Sequence, residues 1–140
     1  MLFSDSDMKN LLSQIKTIAV IGAKDKPGQP VDEVGRYLVQ AGYGLYPVHP
    51  KRVEVWGIKA YAGLASLPAT PDALVLFRSA EHCAGHAREV LALSGAPRLF
   101  WMQLGIVNYE AMRLMREAGI AAVQNACIML EHRRLLGQGV

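Results

Sequence analysis

The chain has 140 residues, the size of one ordinary domain, and its 51% hydrophobic and 19% charged composition excludes intrinsic disorder. A chain of this length withdraws roughly 68–70% of its unfolded surface from water, so neither a metal nor a disulfide is needed to hold it together. The net charge of +3 is spread evenly, with 8 Lys+Arg against 6 Asp+Glu over residues 1–70 and 7 against 6 over 71–140, which argues against nucleic acid as a partner.

A short lead-in helix is expected within about the first ten residues, before the first strong signal. Thr17 to Ile21 is a continuous apolar run stopped by Gly22, the pattern of a strand covered on both faces and hence of a parallel sheet. Val31, Val34, Leu38 and Ala41 fall at helical spacing over residues 31–41, and Gly42 closes that helix. A second strand is expected from Tyr43 to Val48, ended by His49-Pro50. Residues 50–71 are the long connection, broken by Pro50, Gly57, Gly63, Pro68 and Pro71, and suit one short helix or hairpin. Asp72 to Phe77 reads as the third strand, Ser79 to Leu93 as a long helix, Arg98 to Gln103 as the fourth strand and Ile120 to Gln124 as the fifth. Between the last two lies a helix over Asn108 to Ala118, with Asn108 as N-cap and Gly119 as its C′ residue. A closing helix spans Cys127 to Leu135.

This alternation predicts a single α/β domain over residues 1–140, a doubly wound, Rossmann-like fold on a five-stranded parallel sheet. The expected strand order is 3-2-1-4-5, with the first and fourth strands at the switch point. The two cysteines, Cys83 and Cys127, form no CxxC pair and fit a reducing compartment. No apolar run reaches bilayer length, and Met1 to Asp5 carries no secretory signal, so a cytoplasmic protein without a membrane partner is expected.

In such sheets the ligand lies beyond the carboxyl ends of the strands. The loops there carry Lys24, Lys26, Lys51, Arg52 and Arg78 against one acid, Asp25, which suits a nucleotide or other phosphate ester. Gly22 either lets the backbone approach a pyrophosphate or is a turn glycine without a ligand. No GxGxxG is present, and Gly28 is followed by Gln29 rather than by the Lys-Ser/Thr of a P-loop. An NAD site wants a carboxylate at the end of the second strand. His49-Pro50-Lys51-Arg52 stands there instead, which favours a phosphorylated ribose, as in coenzyme A or NADP.

The runs Ile18-Ala19-Val20-Ile21-Gly22-Ala23, Gly42-Tyr43, Tyr46-Pro47-Val48-His49-Pro50, Phe77-Arg78-Ser79, Trp101-Met102-Gln103-Leu104-Gly105-Ile106 and Cys127-Ile128-Met129-Leu130-Glu131-His132 resemble the stand-alone CoA-binding domain proteins. These are similar to the CoA-binding domain of the succinyl-CoA synthetase alpha subunit, and the likeness covers about residues 9–135. The chain departs from the family's usual residues at Lys24, Val31, His49 and Asn125. The resemblance implies coenzyme A or an acyl-CoA as ligand, held by Gly22, Ala23, Lys24, Pro27, His49, Pro50, Lys51, Arg52, Phe77, Arg78, Gln103 and Gly105. The adenine and its ribose phosphate are expected over His49 to Arg52, with the pyrophosphate facing the loop from Gly22 to Gly28. Phe77 and Arg78 are expected to flank the adenosine or the pantetheine arm.

No GxSxG, HExxH or nucleophile–base spacing signals an active site, so the expectation is a binding module and not an enzyme. Its alternatives are an NADP-binding oxidoreductase-like module and an interaction protein with a degenerate pocket. His82, His86 and Glu89, at i, i+4 and i+7, are spaced as metal ligands can be, but a solvated polar face is expected there and no metal site. Cys127, near a helix N-terminus, is either a redox thiol beside the coenzyme or a small buried apolar residue. Gln103 either donates to a ligand or ties its loop to neighbouring backbone. Glu131 to Arg134 form a charged patch suited to a helix end or a homodimer contact.

Overall fold

The computed structural model describes residues 3–137. In chain order these form α1 (Asp5–Gln14), β1 (Thr17–Ile21), α2 (Pro30–Gln40), β2 (Gly44–Val48), β3 (Glu54–Val55), β4 (Ile58–Lys59), a 3-10 turn at Leu64–Ser66, β5 (Ala73–Leu76), α3 (Ala80–Leu91), β6 (Leu99–Met102), α4 (Tyr109–Glu117), β7 (Ala121–Val123) and α5 (Ile128–Leu136). The expected elements are all present, and the long connection holds both a small antiparallel hairpin and the 3-10 turn. Asn108 caps α4 by accepting from the Ala111 N–H at 2.9 Å, and Gly119 follows that helix at φ +77°.

Period-two alternation explains why the strands are apolar throughout. Ile18 and Val20 of β1 pack with Met8 and Leu12 of α1, Val34 and Leu38 of α2, and Ile128 and Met129 of α5. Ala19 and Ile21, between them in sequence, face the opposite way, toward Cys83, Ala87 and Val90 of α3 and Met112 and Met115 of α4. The sheet is therefore covered on both faces, which is the doubly wound, Rossmann-like arrangement.

The strand order corrects one expectation. The five parallel strands run β2-β1-β5-β6-β7, so in the five-strand count used above the order is 2-1-3-4-5 and not 3-2-1-4-5. A third strand outside β2 would need a second crossover helix on the α2 face. Residues 49–72 supply none. Instead Tyr61 lies along the free edge of β2, its N–H donating to the Pro47 carbonyl and its carbonyl accepting from the His49 N–H, each at 2.9 Å. Leu64 then packs on the α3 and α4 side, and the chain returns as β5 on the other flank of β1. The Asp72 carboxylate accepts from the Lys16 N–H at 2.7 Å and the Thr17 N–H at 3.2 Å, which fixes where β1 and β5 begin. The switch point thus lies between β1 and β5, and Gln103 at the end of β6 adjoins β5, not β1. No helix among the described residues is long and apolar enough to cross a membrane.

Candidate functional site

The loop after β1 starts with a forced glycine. Gly22 adopts φ +85°, and a Cβ there would stand 2.5 Å from the Phe77 carbonyl oxygen. The Gly22 and Ala23 N–H groups both donate to the Val48 carbonyl, at 3.0 and 3.2 Å, while the Phe77 N–H donates to the Ile21 carbonyl at 2.9 Å. The close meeting of three strand ends is therefore enough to require glycine at this position.

Beyond this turn the basic side chains converge. Burial, followed by the charges of Arg52, Lys24, Lys51 and Arg78, holds the His49 imidazole below its ordinary pKa. The charge of four cations from three loops thus bears on one ring at the end of β2. The His49 Nδ1 accepts from the Lys51 N–H at 3.1 Å, which shapes the Pro50-Lys51 turn. Asp25 is the counterion within this group: its Oδ1 accepts from Arg52 Nη1 at 2.9 Å, and its Oδ2 accepts weakly from the Trp56 N–H at 3.4 Å. The sequence shows Asp25 only as the one acid among the rim cations; the structure has it tie the β1 loop to the 52–56 segment. Trp56 continues that tie. Its indole donates to Asp32 Oδ1 at 2.9 Å and lies over Gly35 of α2.

Two cavities open on either side of Phe77-Arg78. A cavity of about 710 Å³ lies between the N-terminal ends of α2 and α5, walled by Val34, Phe77, Arg78, Gln103, Ile106, Cys127, Met129 and Leu130 among others. A smaller one of about 260 Å³ lies on the α3 side, walled by Ile21, Gly22, Val48, Pro50, Gly63, Leu64, Arg78, His86 and Glu89. Arg78 belongs to both walls.

Of the twelve expected site residues, Gly22, Pro50, Phe77, Arg78 and Gln103 line these cavities, and Lys24, His49, Lys51 and Arg52 form the cationic cluster beside them. Ala23 is buried in the turn and Pro27 is exposed. Gly105 adopts φ +84° and donates to the Asn125 side chain at 2.8 Å, so it shapes a turn while its neighbours Leu104 and Ile106 face the large cavity. Gln103 spends its side-chain oxygen on the Ile128 N–H at the start of α5, at 2.9 Å; the backbone-tying reading is thus realised, and only its NH₂ end remains for a ligand. Cys127 is half-buried and sits at the N-cap of α5 on the wall of the large cavity. The Glu131 to Arg134 patch is used within the chain: Arg134 pairs with Asp5 at 2.8 Å, and Tyr37 bonds His132 Nδ1 at 2.7 Å.

His86 was missed. Its expected place was a solvated polar face, shared with His82 and Glu89. His82 and Glu89 are exposed, but the His86 side chain keeps only 19% of its surface and turns into the smaller cavity. Its position three residues after the buried Cys83 and one before the buried Ala87 was the available signal.

A CoA binding domain model matches residues 16–133 of the chain. An uncharacterized protein, YneT, of Bacillus subtilis (strain 168) is 35% identical over 129 residues, covering 92% of this chain and 94% of that protein. A trans-feruloyl-CoA synthase, FCS1, from an unknown prokaryotic organism is 41% identical over 76 residues, 53% of this chain but 11% of that protein. A Thermus thermophilus structure, described as cell-free ID.343, superposes with a TM-score of 0.89 at 41% identity, covering 96% of this chain and all of that one. With a family model spanning most of its length and a near full-length relative above 30% identity, the chain belongs to the CoA-binding domain family.

Proposed function

We propose that the chain binds coenzyme A, free or acylated, across the carboxyl ends of β2, β1 and β5, and that it catalyses no reaction itself. The observation that carries this reading is the positive charge of Lys24, Lys51, Arg52 and Arg78, on the loops after β1, β2 and β5, that bears on His49 at the end of β2. It stands where a site for an unphosphorylated ribose would offer a carboxylate, and its one acid, Asp25, is paired to Arg52. A ribose phosphate on the nucleotide meets these cations, and the pantetheine arm runs past Arg78 into the larger, mainly apolar cavity that ends near Cys127. Family membership and the matching segment of a CoA synthase support the same ligand. The nucleophilic side chains on the wall of that cavity, Ser79 and Cys127, have no hydrogen-bonded base among the described residues, which favours binding over catalysis.

Thermal unfolding with added ligand tests the reading. Coenzyme A at 100 times its Kd stabilises the folded chain by about 2.7 kcal/mol through linkage. The expected order is coenzyme A above NADP and NAD at equal concentration. Equal or larger stabilisation by either dinucleotide overturns it.

A further inference from the structure

The larger cavity, of about 710 Å³, has the size of a whole small-molecule site and exceeds what one thin pantetheine arm fills. Its walls, an unused donor and its length say what takes up the rest. Leu104, after β6, and Leu130, on α5, keep 67% and 49% of their surface, and both wall this cavity together with Val34, Ile106 and Met129. Large aliphatic side chains left in water on the wall of one cavity mark a place that an apolar ligand covers.

Gln103, on the same wall, is only 4% exposed. Its side-chain oxygen is taken by the Ile128 N–H, while its NH₂ group has no partner among the described residues. Buried polar groups are nearly always paired, so this donor calls for an acceptor on the ligand. A thioester carbonyl at the end of the arm is such an acceptor, and free coenzyme A has none there. Gln103 and Cys127, the N-cap of α5, mark the near end of the apolar stretch. Glu33, Met129 and Arg133 mark its far end, because they also wall the next cavity along the groove between α2 and α5. From Cys127 to Arg133 the helix rises about 9 Å. An extended chain of eight carbons spans about 8 Å.

We propose that the larger cavity is an acyl site, and that the chain prefers thioesters of unbranched, apolar acyl groups of about six to eight carbons to free coenzyme A, an inference that rests on the coenzyme A reading. The Gln103 NH₂ donates to the thioester carbonyl. The acyl chain then runs along the first turns of α5, covers Leu104 and Leu130, and ends where Glu33 and Arg133 close the apolar stretch.

The test is calorimetric titration of the full chain with coenzyme A, acetyl-coenzyme A and octanoyl-coenzyme A. Octanoyl-coenzyme A is expected to bind at least about tenfold more tightly than either of the others, since burying two of the carbons it adds to the acetyl group is enough for that factor. A smaller preference overturns the inference while leaving the coenzyme A reading standing. A variant carrying both Leu104→Asn and Leu130→Gln changes two side chains that are half or more exposed, and its preference for the octanoyl thioester is expected to fall by at least about threefold. A smaller fall puts the acyl group elsewhere and also overturns the inference. The wild-type series alone decides the matter if the variant fails to fold. No binding of any of the three ligands by the wild-type chain overturns both the inference and the coenzyme A reading.

Discussion

Lys51 and Arg52 stand side by side in sequence, yet the structure gives them different roles toward a ribose phosphate. Lys51 is exposed and makes no ion pair among the described residues. Arg52 shares its charge with Asp25 at 2.9 Å, in a pair whose side chains keep 34% and 35% of their surface. Two unit charges about 4 Å apart in water interact by about 1 kcal/mol, and a phosphomonoester carries between roughly 1.5 and 2 charges. Lys51→Ala is therefore expected to weaken coenzyme A by about tenfold at low salt and dephospho-coenzyme A by less than about threefold. Arg52→Ala removes one cation and also uncovers the Asp25 carboxylate, so its loss should exceed that of Lys51→Ala. Adding Asp25→Asn, which keeps an acceptor for the Trp56 N–H, should return part of the affinity. Titration of each variant with both ligands at two salt concentrations reads these differences. Losses of equal size for the two ligands would show that neither residue meets the phosphate. An Asp25→Asn change that fails to improve the Arg52→Ala chain would refute the electrostatic account of the pair.

Other expectations follow from packing and titration. Gly22→Ala is expected to lower unfolding stability by about 1–3 kcal/mol with no ligand present, because its Cβ would meet the Phe77 carbonyl at 2.5 Å in a left-handed turn; a urea midpoint equal to that of the wild type would refute this. Gly35→Ala places a Cβ 2.0 Å from the Trp56 ring, so the indole must leave Asp32, with a loss of about 1–3 kcal/mol and a red shift in tryptophan emission; unchanged emission and stability would contradict it. Burial holds the His132 pKa below its ordinary value, and burial followed by the neighbouring cations does the same for His49, so the unfolded chain takes up protons first as pH falls. The urea midpoint should drop between about pH 7 and about pH 5.5, and less steeply in His132→Gln; a midpoint that rises over this interval would reverse the sign.

Most of the fold was legible because both faces of the sheet are covered. Runs such as Ala73 to Leu76 and Leu99 to Met102 are wholly apolar, and the helices between them carry one-sided stripes. Strand order was not legible, since it turns on a connection without periodicity: Tyr61 on the edge of β2 and Leu64 on the α3 face decide it through long-range contacts. At the site, the rim loops and their basic residues followed from strand ends alone. Asp25, Trp56 and His86 did not, because their importance comes from partners far away in sequence: Arg52, Asp32 with Gly35, and the wall formed by Val48, Pro50 and Leu64. Gly22 was legible with two readings, a close approach to pyrophosphate or a turn glycine, and the Phe77 carbonyl alone is enough to require the second.

The order of the strands matters for function because it decides which loops meet. With the fourth strand beside β1, Gln103 would have stood at the switch point. With β5 there, Phe77-Arg78 does, pressed against Gly22 so closely that the two loops form one partition. The partition separates a small cavity on the α3 face from a large one on the α2 and α5 face, and Arg78 contributes to both. A compact nucleotide fits one side only. A ligand with a base at one end, a phosphorylated middle and a long flexible arm can occupy both, crossing at the carboxyl ends of β1 and β5. On the coenzyme A reading, the cations that bear on His49 lie beside the small cavity where the ribose phosphate falls, and the mainly apolar cavity lies where the arm and any acyl group follow. On the same reading, opposite faces of one sheet edge supply the two halves of the site.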